Sequence, residues 1–99
     1  MQFTKHLRPR IKSGRIRCTV RIWMRPHVKI GGRYAVDDGS IVVDSIERIA
    51  MKQITDDLAR ESGFDSVEAL LNIAKHGRGR NVYLIRFHYL PPGAWRIRT

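Results

Sequence analysis

Val82-Tyr83-Leu84-Ile85-Arg86-Phe87-His88-Tyr89-Leu90 is the stretch on which the fold turns. Tyr83, Ile85, Phe87 and Tyr89 recur at a spacing of two and share one face, while Arg86 and His88 lie on the other. That period, in aromatic and β-branched residues, marks a strand whose aromatic stripe packs into a core. Pro91-Pro92-Gly93 ends regular structure, and the tail over 91–99 adds Trp95 beside Arg96 and Arg98.

Two helices are expected before this strand. Thr55 can cap the first, with Asp56 and Asp57 in its opening turn, where carboxylates favour the positive end of the helix dipole. Ser62-Gly63 ends it. Asp65 opens the second, with Glu68 three residues on in a variant of the capping box. Val67, Leu70, Leu71 and Ala74 form its apolar stripe and Gly77 stops it. The acids of this region thus receive a structural role.

Further toward the N-terminus, Ser40 to Ile49 reads as a strand and Asp37-Asp38-Gly39 as the turn before it. Arg33 to Val36 is a short strand preceded by a tight turn at Gly31-Gly32, where positive φ is available. From Arg17 to Trp23 the sequence alternates again. Cys18, Val20 and Ile22 point one way, and Arg17, Thr19, Arg21 and Trp23 the other. Residues 1–13, rich in Lys and Arg, read as a basic arm, extended or with one short helical turn, and Ser13-Gly14 punctuates it. The expected architecture is α+β. It is a single domain over 1–99, built as a small β-barrel of about five to six mostly antiparallel strands with a helix pair inserted before the last strand.

Composition bounds the function. At 42% hydrophobic and 28% charged, the chain has the make-up of a soluble globular domain. No apolar run is long enough for a transmembrane helix, and the first residues lack the apolar segment of a secretory signal. Cys18 is the lone cysteine, which excludes an internal disulfide and suits a reducing compartment. A cytoplasmic, unprocessed monomer without membrane contact is the expectation.

The net charge of +10 is unevenly spread. Residues 1–36 hold ten Lys/Arg and no acid, all nine carboxylates fall between Asp37 and Glu68, and 69–99 carries six Lys/Arg and again no acid. Such a field attracts polyanions, RNA first among them. The expected nucleic-acid contacts are Arg15, Arg17, Arg21, Trp23, Arg25, Lys29 and Arg33, joined by Arg78 and Arg80. Guanidinium grips phosphate bidentately and an indole can stack on an unpaired base. For Trp23, packing under the adjoining loop is an equal alternative. His6, His27, His76 and His88 show no metal-ligand spacing, and Gly31-Gly32 lacks the rest of a nucleotide-phosphate loop. No metal or cofactor is expected.

Gly14-Arg15-Ile16-Arg17-Cys18-Thr19-Val20-Arg21 resembles the opening signature of ASCH domains, roughly Gly-Arg-Lys-Thr-x-Thr-x-Arg. Val28 to Tyr34 is similar to that family's turn into its second strand, and Ile54 to Phe64 followed by Val82 to Phe87 to its helix pair and closing strand. The likeness runs from about Ile11 to Leu90 and is to the small single-domain bacterial type. It implies a PUA-like barrel with a cleft between barrel and helices, used to bind RNA. One bacterial branch hydrolyses N4-acetylated cytidine with a Lys and a Thr of the signature and a Glu of the helical segment. That branch implies Thr19 and Glu61 as catalytic residues, or more broadly a hydrolase acting on a modified nucleoside or RNA. Here Ile16 stands at the lysine position and Ser62 at the glutamate position, one residue after Glu61. Neither Ile16 nor an arginine can serve as the base that a threonine nucleophile requires.

Overall fold

In a computed structural model, residues 1–74 and 79–93 are described. A 3₁₀ turn (Lys5–Leu7) runs into α1 (Arg8–Lys12). Then come β1 (Cys18–Trp23), β2 (Arg33–Val36), β3 (Gly39–Ile49), α2 (Asp56–Glu61), α3 (Val67–Ala74) and β4 (Asn81–Leu90). The sheet order is β1-β4-β3-β2, antiparallel throughout, and the sheet curls into a half-barrel. Among the described residues it has four strands rather than five or six. The segment 24–32 is a loop and the N-terminal arm is helical, so neither supplies a further strand.

The strand read first is central: β4 lies between β1 and β3 and is buried on both sides. Val82 and Leu84 join Cys18, Val20 and Ile22 on the face covered by α2 and α3, through Ala59, Leu70 and Ala74. Tyr83 and Ile85 pack on the opposite face with Trp23, Val28 and Val43, and Phe87 with Ile41 and Val36. A strand covered on both faces cannot show clean apolar/polar alternation. Arg86 and His88, toward the C-terminal end of β4, are exposed.

β3 reaches eleven residues because it contains a bulge. Val43 pairs with Phe87 and Ser45 with Arg86, leaving Asp44 as the extra residue. One inserted residue reverses the phase of all side chains beyond it. Ile41 and Val43 before the bulge therefore share a face with Ile46 after it, opposite Ile85, while Ile49 turns to the helix-covered side. Asp44 projects and meets His88 Nδ1 at 2.8 Å.

The helix starts follow local chemistry. Thr55 Oγ1 accepts from Leu58 N (3.2 Å), as the sequence leads one to expect. At α3 the cap is Ser66, whose Oγ accepts from Ala69 N (3.1 Å), and not Asp65. Gly31 has φ +80, and the segment closes onto β3 through Gly31 N to Val43 O and Val43 N to Gly32 O. The expected helix stop at Gly77 lies outside the described residues.

The N-terminal segment differs most from expectation. It is not a free basic arm, for Phe3, Leu7 and Ile11 are buried with Ile16, Val36, Ile41 and Phe87. At full burial an Ile or Leu side chain contributes about 1.5–3 kcal/mol, so this segment completes the core. It crosses the α2–α3 turn at Gly63. There φ is +94, and a Cβ would stand 2.6 Å from Ile16 Cδ1 and 2.8 Å from Leu7 Cδ2. Ion pairs join it to the β2–β3 turn: Arg8 to Asp37 (3.1 Å) and Lys12 to Asp37 and Asp38 (3.6 Å each). Asp38, and then Asp37, hold the Lys12 ammonium above its ordinary pKa. Among the described residues no helix is long and apolar enough to cross a membrane.

Candidate functional site

β1 is an edge strand, paired to β4 alone. Thr19, Val20 and Arg21, three consecutive residues of it, line one cleft of about 290 Å³. Consecutive residues of a strand point to opposite faces, so the cleft meets β1 along its edge, where backbone groups lack a neighbouring strand. The N-terminal segment forms one wall with Phe3, Thr4 and Leu7, and the helical layer the other with Phe64, Ile73 and Ala74. The volume is at the lower end of small-ligand sites, about 300–1,000 Å³.

The polar floor is organised around Arg21. Its Nε donates to Thr19 Oγ1 (3.1 Å) and its Nη2 to the Gln2 carbonyl (2.7 Å). The guanidinium carbon stands 5.2 Å from the centre of the Phe3 ring, within cation–π range. Burial lowers the pKa of the guanidinium from its ordinary value, yet arginine remains charged at any physiological pH. Among the described residues two of the five guanidinium N–H donors are used. Thr19 is only 6% exposed; its oxygen accepts from Arg21, which leaves its own O–H to donate. Thr4 Oγ1 is buried and has no hydrogen-bond partner among the described residues. An unsatisfied buried hydroxyl costs about 1–3 kcal/mol, and Tyr89 Oη is in the same state.

The other expected contacts do not converge on this cleft. Trp23 is 6% exposed, and its ring stacks on His27 at 4.4 Å with an interplanar angle of 10°. The indole is packed against Val28, Val43 and Tyr83, the alternative that the sequence left open. Arg15 and Arg17 are exposed near the start of β1, whereas Arg25 and Lys29 are exposed in the loop beyond its end. Arg33 opens β2, on the far edge of the sheet from β1. Arg15 and Arg17 thus lie at one end of β1, Arg25 and Lys29 beyond the other, and Arg33 apart from both, rather than in one strip. Arg80 is exposed, and Arg78 lies outside the described residues.

Glu61 lines a separate shallow pocket with Cys18, Arg15, Arg17 and Arg86, and the structure does not bring it to the cleft of Thr19. Among the described residues the hydrogen-bonded neighbour of Thr19 is a guanidinium, not a base. Among the described residues no group of three or more His, Cys, Asp or Glu side chains is placed to hold a metal ion.

Cys18 is buried with its Sγ 3.6 Å from Ser62 Oγ. Burial raises the thiol pKa, opposed by the Ser62 hydrogen bond. Since the thiolate is the reactive form, native Cys18 is expected to stay unmodified by a disulfide reagent at neutral pH and to react at once in denaturant. Equal rates in the two states would refute this placement.

Phe3, Thr4 and Phe64 were not legible as site residues. They lie outside β1, Phe3 and Thr4 within an arm read for its charge and Phe64 between the two helices. No protein-family model matches the chain, and comparisons with curated proteins and with solved structures find no match.

Proposed function

We propose that this chain is an RNA-binding module that takes an unpaired nucleotide of a single strand into the cleft at the edge of β1. The observation that carries the reading is the Arg21–Thr19 pair fixed on the floor between Phe3 and Phe64. A nucleobase is a flat apolar face with a polar rim. Aromatic and aliphatic walls suit the face, and a guanidinium, hydroxyls and strand-edge amides suit the rim. The net charge of +10 supports attraction of a polyanion, and the resemblance of Gly14 to Arg21 to the ASCH signature points to the same class and to a PUA-like barrel. Hydrolysis of acetylated cytidine or of RNA has less support: among the described residues Thr19 is bonded to a guanidinium rather than a base, and Glu61 lines another pocket.

Titration with single-stranded RNA over a range of salt tests the proposal. If about six phosphates are engaged, log K falls against log salt with a slope near −4, from roughly −0.7 per contact. The absence of binding at low ionic strength, or affinity indifferent to salt, would sink it.

A further inference from the structure

Beyond the cleft, the structure joins two arginines from opposite ends of the sequence. Arg86 of β4 pairs in register with Cys18 of β1, and Phe87 N donates to Arg17 O (2.9 Å), so Arg86 lies across the ladder from the start of β1. Arg15, Arg17 and Arg86 line one shallow pocket of about 290 Å³. Arg17 and Gly14 continue into a second, of about 410 Å³, beside Lys12 and His88.

Each cation here has a definable state. Arg17 Nε is tied to Gly14 O at 2.9 Å, which fixes its fork. Arg15 and Arg86 make no side-chain hydrogen bond or ion pair among the described residues, and Glu61, the carboxylate in that pocket, pairs with neither within 4.0 Å. Lys12 is by contrast already matched to Asp37 and Asp38, and His88 Nδ1 is hydrogen-bonded to Asp44. The uncompensated charge therefore belongs to Arg15, Arg17 and Arg86.

Arg10 bonds both to the segment that enters this pocket and to the α2–α3 turn. Its carbonyl accepts from Arg15 N and Ile16 N (2.9 and 3.1 Å), and its Nη2 donates to Gly63 O (3.3 Å). Gly63 stands between Glu61, which lines the basic pocket, and Phe64, which lines the cleft. Arg10 thus ties the turn that carries Phe64 to the segment that carries Arg15 and Arg17.

We infer that Arg10, Arg15, Arg17 and Arg86 form a phosphate track along which a single RNA strand leaves the cleft, past the start of β1 and away from the loop of Arg25 and Lys29. The direction rests on the cleft holding a nucleotide; the track itself rests on the arginines. Planar guanidiniums along a surface suit successive phosphates, which each accept two parallel hydrogen bonds.

The experiment compares a nucleoside monophosphate, followed by NMR shifts at Thr19, Phe64 and Ile73, with a labelled single-stranded RNA of about ten nucleotides, within the usual site sizes. The double variant Arg15→Gln/Arg86→Gln is expected to bind the monophosphate like the parent protein. Its affinity for the longer RNA should fall about 25-fold at roughly 0.1 M salt, with a slope shallower by about 1.4, the worth of two contacts. Arg25→Gln/Arg33→Gln should change that affinity by less than about twofold. An unchanged affinity and slope in the first pair, or equal losses in both pairs, would overturn the track. If the monophosphate fails to bind while the longer RNA still depends on Arg15 and Arg86, the track stands and the cleft reading falls.

Discussion

Gly79→Ala is expected to lower the melting temperature by roughly 15 °C. Gly79 is buried where the chain enters β4, and it crosses the end of β1. A Cβ there would land on the Cα and carbonyl carbon of Trp23 and stand 2.6 Å from Met24 N. These are backbone atoms of a strand held in register with β4, and Met24 O also accepts from Asn81 Nδ2 (2.8 Å). No flexible side chain can move aside. One methyl forced into such a site costs about 3 kcal/mol, at the upper end of overpacking. In a domain of about this length each kilocalorie displaces the melting temperature by about 4–8 °C. Arg80→Ala next door removes an exposed side chain and should stay within about 0.5 kcal/mol of the parent. Thermal unfolding followed by circular dichroism checks both. A Gly79→Ala protein as stable as the parent would mean that the chain does not cross there. This gives the Arg78-Gly79-Arg80 segment a packing role at its centre, whatever phosphate contact Arg80 makes.

What the sequence discloses depends on whether a pattern is local. The alternation in β1 and β4 and the Thr55 cap need only a few adjacent residues, and they are legible. The bulge at Asp44 is not, because the run Ile41, Val42, Val43, Ile46, Ile49 fits neither period two nor a helix until one residue is set aside. Phe3, Leu7 and Ile11 do recur at four-residue intervals, the spacing of a helix face. Lys5, Arg8, Arg10 and Lys12 between them draw the eye to charge instead. Burial on both faces of β1 also depends on this arm. Thr19, Arg21 and Trp23 form a common face, as their spacing requires, but Phe3 and the 24–32 loop cover it, so the residues read as a surface strip become cleft floor and core.

Charge shows the same limit. Not all of the acids serve the helices: Asp37 and Asp38 of the β2–β3 turn pair with Arg8 and Lys12 of the N-terminal block, and Asp44 of β3 meets His88 of β4. Such exposed pairs contribute little to stability. Their consequence is electrostatic focusing. Among the described residues Arg10, Arg15, Arg17 and Arg86 near the start of β1 keep no carboxylate partner, while Arg8 and Lys12 offset the two carboxylates of the β2–β3 turn.

Arg21→Met is expected to weaken binding of an unpaired nucleotide about ten- to a hundredfold, since a hydrogen bond to a charged group is worth about 1.5–3 kcal/mol. Methionine retains much of the apolar stem and removes the fork. The variant also loses the bonds to Thr19 Oγ1 and Gln2 O, at about 1 kcal/mol each, so some loss of stability accompanies the loss of affinity. Arg21→Lys separates the two possible roles of the side chain. An ammonium restores the charge, but it cannot hold Thr19, Gln2 and a ligand edge in one plane. Lysine should therefore regain little affinity for a nucleoside monophosphate while leaving the salt slope for longer RNA close to that of the parent. Full recovery by lysine would reduce Arg21 to a point charge and remove the case for base recognition in the cleft. Unchanged affinity in Arg21→Met would place the nucleotide elsewhere, because no ligand seated between Phe3 and Phe64 can avoid the guanidinium on the floor.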